Sequence, residues 1–272
     1  MSGEKLHRED APFSEKLWRQ IDEAVVSAAK GRLSARRLLH IDGPLGFGVR
    51  SVGAGENHVD ASPADDSVSV SAGEPIRLAL IEREFTLSAR DVAAFEAGQG
   101  PVDLSPASEA ALACAAQEDE LVFNGSKSLG AEGLLTAKGT LKSPLSSWQE
   151  VGKAADDVIA AITKLDEAGF HGSCTLALAP SLYNLLFRRY PQGNQTELEH
   201  VRQIVGGGVV KAPAIEDGGV LVASGRQFAL ILVGLDLTTD FIGPAGSSYE
   251  LVAMESVALW LKARSAVCVL KK

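Results

Sequence analysis

Apolar residues recur at helical spacing soon after the start of the chain. Trp18, Ile21, Val25 and Ala28 fall on one side, and Arg19, Glu23 and Lys30 fall on the other. Ser14 is placed to cap the first turn, and Glu15 suits the positive end of the helix dipole. Phe13 and Trp18 occupy the two positions of a hydrophobic staple. The pattern predicts an amphipathic helix from Ser14 to just past Leu33, preceded by a flexible arm at residues 1–12. Leu38 to Ile41 is a short apolar run that Gly43, Pro44 and Gly46 break as a turn. Residues 51–75, rich in Ser, Gly, Ala and Asp, read as a long loop or a loosely held hairpin, with Val68 and Val70 alternating with serines. Ile76, Leu78 and Leu80 continue the two-residue period, so 76–87 reads as a strand.

Ser105 before Pro106 marks a second helix start, and this helix runs through Ala110, Cys114 and Leu121 to Asn124-Gly125. A third spans 151–168, with Val151, Ala155, Val158, Ile162 and Leu165 as its stripe and Gly169 as its stop. Cys174, Leu176 and Leu178 alternate as a strand. Pro180 opens a helix containing Leu182, Leu185, Leu186 and Phe187. Tyr190 to Gly193 is a turn, and another helix covers 195–205 before Gly206 to Gly208. Strands are expected at 219–223, 226–235, 249–255, 257–263 and 266–270. Helices and strands mix without a regular βαβ repeat, which points to an α+β fold.

Composition adds limits. The 272 residues are 46% hydrophobic and 22% charged, ordinary values for a globular chain. With 26 basic against 35 acidic residues the net charge is −9, which argues against a nucleic-acid partner. Met1 to Asp10 holds no apolar signal core, and runs such as Phe228 to Gly234 are too short to cross a bilayer, so we expect a cytosolic protein with no membrane partner. Cys114, Cys174 and Cys268 lie far apart, and we read them as small buried hydrophobes in a reducing compartment.

Catalytic and metal constellations are absent from the sequence. Glu197-x-x-His200 has the spacing of a di-iron half-site, but such sites need a second motif and two more glutamates. We read it as a solvated helix face, with no metal and no cofactor. Glu118-Asp119-Glu120 cannot converge as a paired-carboxylate site, because successive helix positions point in different directions. We read it as a salt-bridged surface. Ser27-x-x-Lys30 lacks the companion motifs of serine acyl enzymes. Gly125-Ser126-Lys127-Ser128 lacks the first glycine of a phosphate loop, since position 120 is Glu.

Several linked motifs resemble one family. Pro12 to Trp18, followed by Ile21-Asp22, resembles the N-terminal helix of encapsulins. Gly31-Arg32-Leu33 to Arg36-Arg37 and Ile41 to Gly46 are similar to the segment after it. Ala116 to Gly125, with Gly130 to Leu135 following, resembles the family's long central helix. Leu235-Asp236-Leu237 and Met254-Glu255 match late strands. The resemblance is colinear over 12–270.

It implies the fold of tailed-phage major capsid proteins and a homo-oligomeric icosahedral shell, not an enzyme. The shell would enclose cargo proteins that carry a short C-terminal targeting peptide. Residues 1–35 would be the N-terminal arm and helix, and 49–84 an extended loop reaching a neighbouring subunit. A peripheral domain would take 36–48, 85–135 and 228–272, and an axial domain 136–227. The positions matching the family's cargo-peptide site are Leu33, Arg36, His40, Leu237 and Thr239. Tyr190, Gln192, Gly193, Asn194 and Gly207 would line pores. Some relatives stack flavin between a Trp and a Tyr, but here those positions are Arg90 and Tyr190, so no flavin is expected. The resemblance extends to myxobacterial iron-storage shells through Leu112 to Asp119 and Thr136 to Gly139, which implies a ferritin-like cargo. The alternatives are a dye-decolourising peroxidase cargo, a peptidase or bacteriocin-like enzyme, and a prophage capsid protein.

Overall fold

A computed structural model of the chain describes residues 7–59 and 70–271. The helices are α1 (Glu15–Arg32), α2 (Ala35–Leu38), α3 (Ala89–Glu96), α4 (Ser105–Asn124), α5 (Lys153–Glu167), α6 (Pro180–Leu185) and α7 (Glu197–Val205). The strands are β1 (His40–Asp42), β2 (Ser51–Val59), β3 (Val70–Arg77), β4 (Ala79–Ser88), β5 (Gly125–Ser126), β6 (Ala131–Glu132) and β7 (Leu141–Pro144). They continue with β8 (Cys174–Leu178), β9 (Gly206–Lys211), β10 (Gly219–Ala223), β11 (Ala229–Ala245), β12 (Ser248–Leu261) and β13 (Val267–Lys271).

One sheet has the order β1-β11-β12-β4 and is built on the β11–β12 hairpin. Helix α4 crosses β4 and β12, and α1 packs on α4 and β11. The second sheet has the order β7-β13-β10-β8-β9. It is the wall between two cores. Ala177, Val220, Val222, Val267 and Val269 face the larger core, which also takes in α1, α4 and the first sheet. Leu176, Leu178, Leu221, Cys268 and Leu270 face the second core, closed by α5, α6 and α7. Successive side chains of a strand point to opposite faces. A sheet covered on both faces therefore needs nearly continuous apolar strands, and every residue of β8 and β10 is buried.

The N-terminal helix forms as its pattern predicts. Ser14 Oγ accepts from Leu17 N–H, and Phe13 meets Trp18 with ring centroids 5.3 Å apart. The buried stripe is Leu17, Ile21, Val25 and Ala29, one position around from the expected one at both ends, with Trp18 and Ala28 half-buried against the core. The region expected to be a loop or loose hairpin is a hairpin where it is described, β2 pairing antiparallel with β3. Val68 lies outside the described residues.

Three expectations are corrected. Residues 7–12 are no free arm: His7–Asp10 is a 3-10 turn against β11, while residues 1–6 lie outside the described part. At α4 no side chain caps from the N-cap position: that position is Leu104, Ser105 is the first helical residue, and its N–H donates to Asp103 Oδ1 at 2.9 Å. The separate strands expected at 226–235, 249–255 and 257–263 are one long hairpin, whose register shifts disguise its period. The last strand, β13, inserts between β7 and β10 of the second sheet; Val267, Cys268, Val269 and Leu270 are all apolar, and both sides of that slot are buried.

If the second sheet is the shared wall, trimming it should be costly. Leu221→Ala is expected to lose about 2–5 kcal/mol of stability, whereas Ile159→Ala, at a position 48% exposed on α5, should change it by less than about 1 kcal/mol. Equilibrium denaturant unfolding of the two variants beside the parent checks this.

Candidate functional site

Helix α4 brings two consecutive carboxylates, Glu118 and Asp119, into the interior, both with no exposed surface. This overturns the reading of 118–120 as a salt-bridged surface; only Glu120 is exposed. A buried carboxylate must be paired and hydrogen-bonded, and each of these is. Asp119 accepts from Ser34 Oγ at 2.6 Å, from Ala35 N–H at 2.8 Å, from Ser34 N–H and from Arg32. It thereby caps α2 from another helix. Glu118 accepts from Arg36 Nε at 2.9 Å and Nη2 at 2.7 Å.

Arg36 also donates to Glu255 Oε2 at 2.9 Å and Asp236 Oδ1 at 2.6 Å. One guanidinium thus joins α2 to α4, β11 and β12. Burial disfavours its charge, but the bonds to Glu118 and Asp236 and the field of Glu255 outweigh that and raise its pKa above the ordinary value. Two buried carboxylates face this single cation, and Glu255 Oε1 has no donor pointing at it. Burial first, then repulsion from and hydrogen bonding to Glu118, pushes the Glu255 carboxyl up to about 9. The direction of the shift favours the protonated form of Glu255 beside Glu118. The three cysteines, all buried, show the same effect. Burial raises Cys114 to about 12 and Cys268 to about 11 and also raises Cys174, which disfavours the thiolate in each.

Alongside this network lies the seam between α1 and β11. Leu33 is buried with Ala29 and Ala115, and Leu237, half-buried, packs on them. Next to Leu237, Asp236 points outward with its side chain 63% exposed. Thr239 is fully buried, its Oγ1 accepting from Arg8 at 3.0 Å. His40 is exposed at the head of β1, opposite Leu230 and well before Leu237 along β11. The structure thus brings Leu33 and Leu237 into contact with Arg36 beside them. It covers Thr239 and sets His40 apart.

The turn after α6 is closed by Tyr190 N–H donating to Gln195 O and Gly193 N–H donating to Tyr190 O. Gln192, Gly193 and Asn194 project into solvent. Tyr190 is half-buried, its hydroxyl 2.8 Å from His200 Nδ1, and its pKa is raised by burial and by Glu197 and Asp156. Gly207 sits where a Cβ would meet Cys174 O at 2.5 Å, so β9 requires glycine there for close packing on β8. Glu197, read above as part of a solvated face, has no exposed surface. Its carboxylate accepts from Arg188 at 2.9 Å and from Gly152 N–H at 2.6 Å. It does not converge with His200, and among the described residues no group of His, Cys, Asp and Glu is arranged to hold a metal.

Sequence reasoning missed Glu118, Asp119, Glu255 and Arg8. For Glu118 and Asp119 a signal existed: they interrupt the buried face of an alanine-rich helix. For Glu255 the signal was a lone charge in the otherwise uncharged stretch from Leu251 to Leu261. Arg8 left none. The raised Glu255 pKa sets a sign for stability. A carboxyl whose folded value lies above its ordinary 4.5 contributes fully at low pH and loses that contribution as pH climbs from about 4.5 to about 9. Glu255→Gln, which fixes the neutral form, is expected to flatten this fall, whose slope for one proton is at most about 1.4 kcal/mol per pH unit. Arg36→Met, which strands Glu118, should lose about 3–5 kcal/mol. Thermal unfolding between about pH 5 and about pH 9 tests both.

Comparison with known proteins now has a frame. Residues 3–258 match the family model Linocin_M18, described as encapsulating protein for peroxidase. The type 1 encapsulin shell protein EncA of Myxococcus xanthus is 34% identical, the match covering 98% of this chain and 96% of that protein. The virus-like particle of Pyrococcus furiosus superposes with a TM-score of 0.74 at 21% identity, covering 93% of this chain and 99% of the other. The capsid of Myoviridae phage XM1 does so with a TM-score of 0.56 at 12% identity, covering 85% and 88%. The two-sheet α+β architecture is thus that of phage capsid proteins, and the chain belongs to the encapsulin shell-protein family.

Proposed function

We propose that this chain is the repeating subunit of a closed icosahedral shell in the cytoplasm that encloses a cargo enzyme. The cargo's short C-terminal targeting peptide docks along the α1–β11 seam, at Leu33, Arg36, His40, Leu237 and Thr239. The observation that supports this best is the Leu33–Leu237 contact. It is an apolar spot at the edge of a seam, with the exposed carboxylate of Asp236 next to Leu237 and the Arg36 guanidinium bonded to it. An extended peptide is recognised in this way, by an apolar pocket with a polar rim. Within the set, Arg36 has the separate task of holding Glu118 and Glu255. Its loss would act through the fold as well as through the peptide.

The exposed turn at Gln192, Gly193 and Asn194, with Tyr190 behind it, lines a pore in this reading, and Gly207 shapes the neighbouring strand. The hairpin β2–β3 reaches an adjacent subunit. The resemblance of Leu112 to Asp119 to iron-storing shells favours a ferritin-like cargo. The second reading, a peroxidase cargo, draws on the description of the matching family.

Electron microscopy of the purified protein is expected to show hollow, closed particles of uniform size; a monomer or small open oligomer would sink the shell reading. Leu237→Asp should leave particles intact but reduce co-purifying cargo by about tenfold or more, because a carboxylate would be set into the apolar spot. Undiminished cargo would place the peptide elsewhere.

A further inference from the structure

The N-terminal turn raises a question that the seam alone does not. His7–Asp10 buries no residue of its own, yet it lies against β11. One side chain holds it there. The Arg8 guanidinium sits over the Trp18 ring at 4.2 Å from the centroid. It donates to Thr239 Oγ1 at 3.0 Å and pairs with the Asp22 carboxylate. Thr239 in turn donates to Asp22 at 3.4 Å. Aromatic face, carboxylate and hydroxyl together form a built guanidinium pocket. Arg8 Nε is buried there without a hydrogen-bond partner, so the fit is incomplete.

The attachment of the segment changes sharply at residue 13. Phe13 is gripped by Trp18, Phe241 and Tyr249, with centroids 5.3, 5.7 and 5.2 Å away, and the Ser14 amide donates to Glu96 at 2.9 Å. This anchor shares Trp18 with the latch, but its contacts with Phe241, Tyr249 and Glu96 do not involve Arg8. The turn can therefore leave while α1 stays capped and stapled. What holds it is a partly exposed ion pair, a cation–π contact and one hydrogen bond to Thr239, and the first two are weak interactions in water.

We propose that the His7–Asp10 turn is a releasable strap, latched by Arg8, that covers the Thr239 end of the α1–β11 seam and competes with the incoming cargo peptide. The proposal rests on the docking site put forward above. It accounts for Thr239 being fully covered in the free subunit. A peptide running from Leu237 toward Thr239 must displace the guanidinium, and the Trp18–Asp22–Thr239 pocket then becomes available to a cationic side chain of the peptide.

The test uses the full-length chain co-expressed with a limiting amount of a fluorescent protein. That reporter carries the short C-terminal peptide of a protein that co-purifies with the native shell. Reporter per shell is read by in-gel fluorescence, with particle assembly checked by electron microscopy. Arg8→Ala, which opens the latch and leaves the Trp18–Asp22–Thr239 pocket intact, is expected to raise loading by about threefold to tenfold. Removal of residues 1–10 supplies a version free of side-chain effects. Equal or reduced loading in assembled Arg8→Ala and truncated shells would overturn the strap. Leu237→Asp in the same series separates the two ideas. If it abolishes loading while Arg8→Ala adds none, only the strap fails. If Leu237→Asp loads like the parent, the docking site itself fails.

Discussion

One guanidinium organises the centre of this fold. Arg36 reaches Glu118 on α4, Glu255 on β12 and Asp236 on β11, while Asp119, one residue along, caps α2 and so fixes the segment that carries Arg36. The two interactions set each other's geometry. Two buried carboxylates against one cation would be prohibitive if both were ionised. The upward shift of the Glu255 carboxyl, which favours its neutral form, eases this conflict within the polar patch, inside an otherwise apolar core. The seam that we assign to cargo lies beside it, so the shape of that surface depends on a charge balance struck several ångströms deeper.

A similar solution recurs in the second half of the molecule. Glu197 lies at the start of α7, buried, and joins Arg188 to the backbone at the start of α5. There the acid is held by one cation and one backbone amide. The two polar ties sit on either side of the five-stranded sheet, one in each core.

Much of the fold was legible in the sequence where local physics decides it. The capped, stapled start of α1, the stripe of α5 and the apolar runs of β8, β10 and β13 all follow from signals within a few residues. The long hairpin β11–β12 was not, because its register shifts at Val233/Leu235 and Leu235/Thr238 break the two-residue period just where Gly234 and Asp236 suggest a turn. Strand β9 was hidden for the opposite reason. Its glycines look like a breaker, yet Gly207 is there to let two backbones approach. The candidate site was legible only through family resemblance. Burial of Glu118 depends on Arg36, which comes from 82 residues away, and no local pattern announces a partner at that distance. The covering of Thr239 by Arg8 spans 231 residues.

The position of β13 bears on how the subunit is made. In the sheet order β7-β13-β10-β8-β9, β7 has no other neighbour, and β10 lacks one of its two partners until Val267–Lys271 arrives. A chain emerging from the ribosome makes β7, β8 and β10 long before that segment exists. Until it does, the wall between the two cores has a gap one strand wide, with Val220 and Leu221 open along it. A growing chain therefore keeps this gap until Val267–Lys271 has been made, so the order of the strands in the sheet delays closure of the wall.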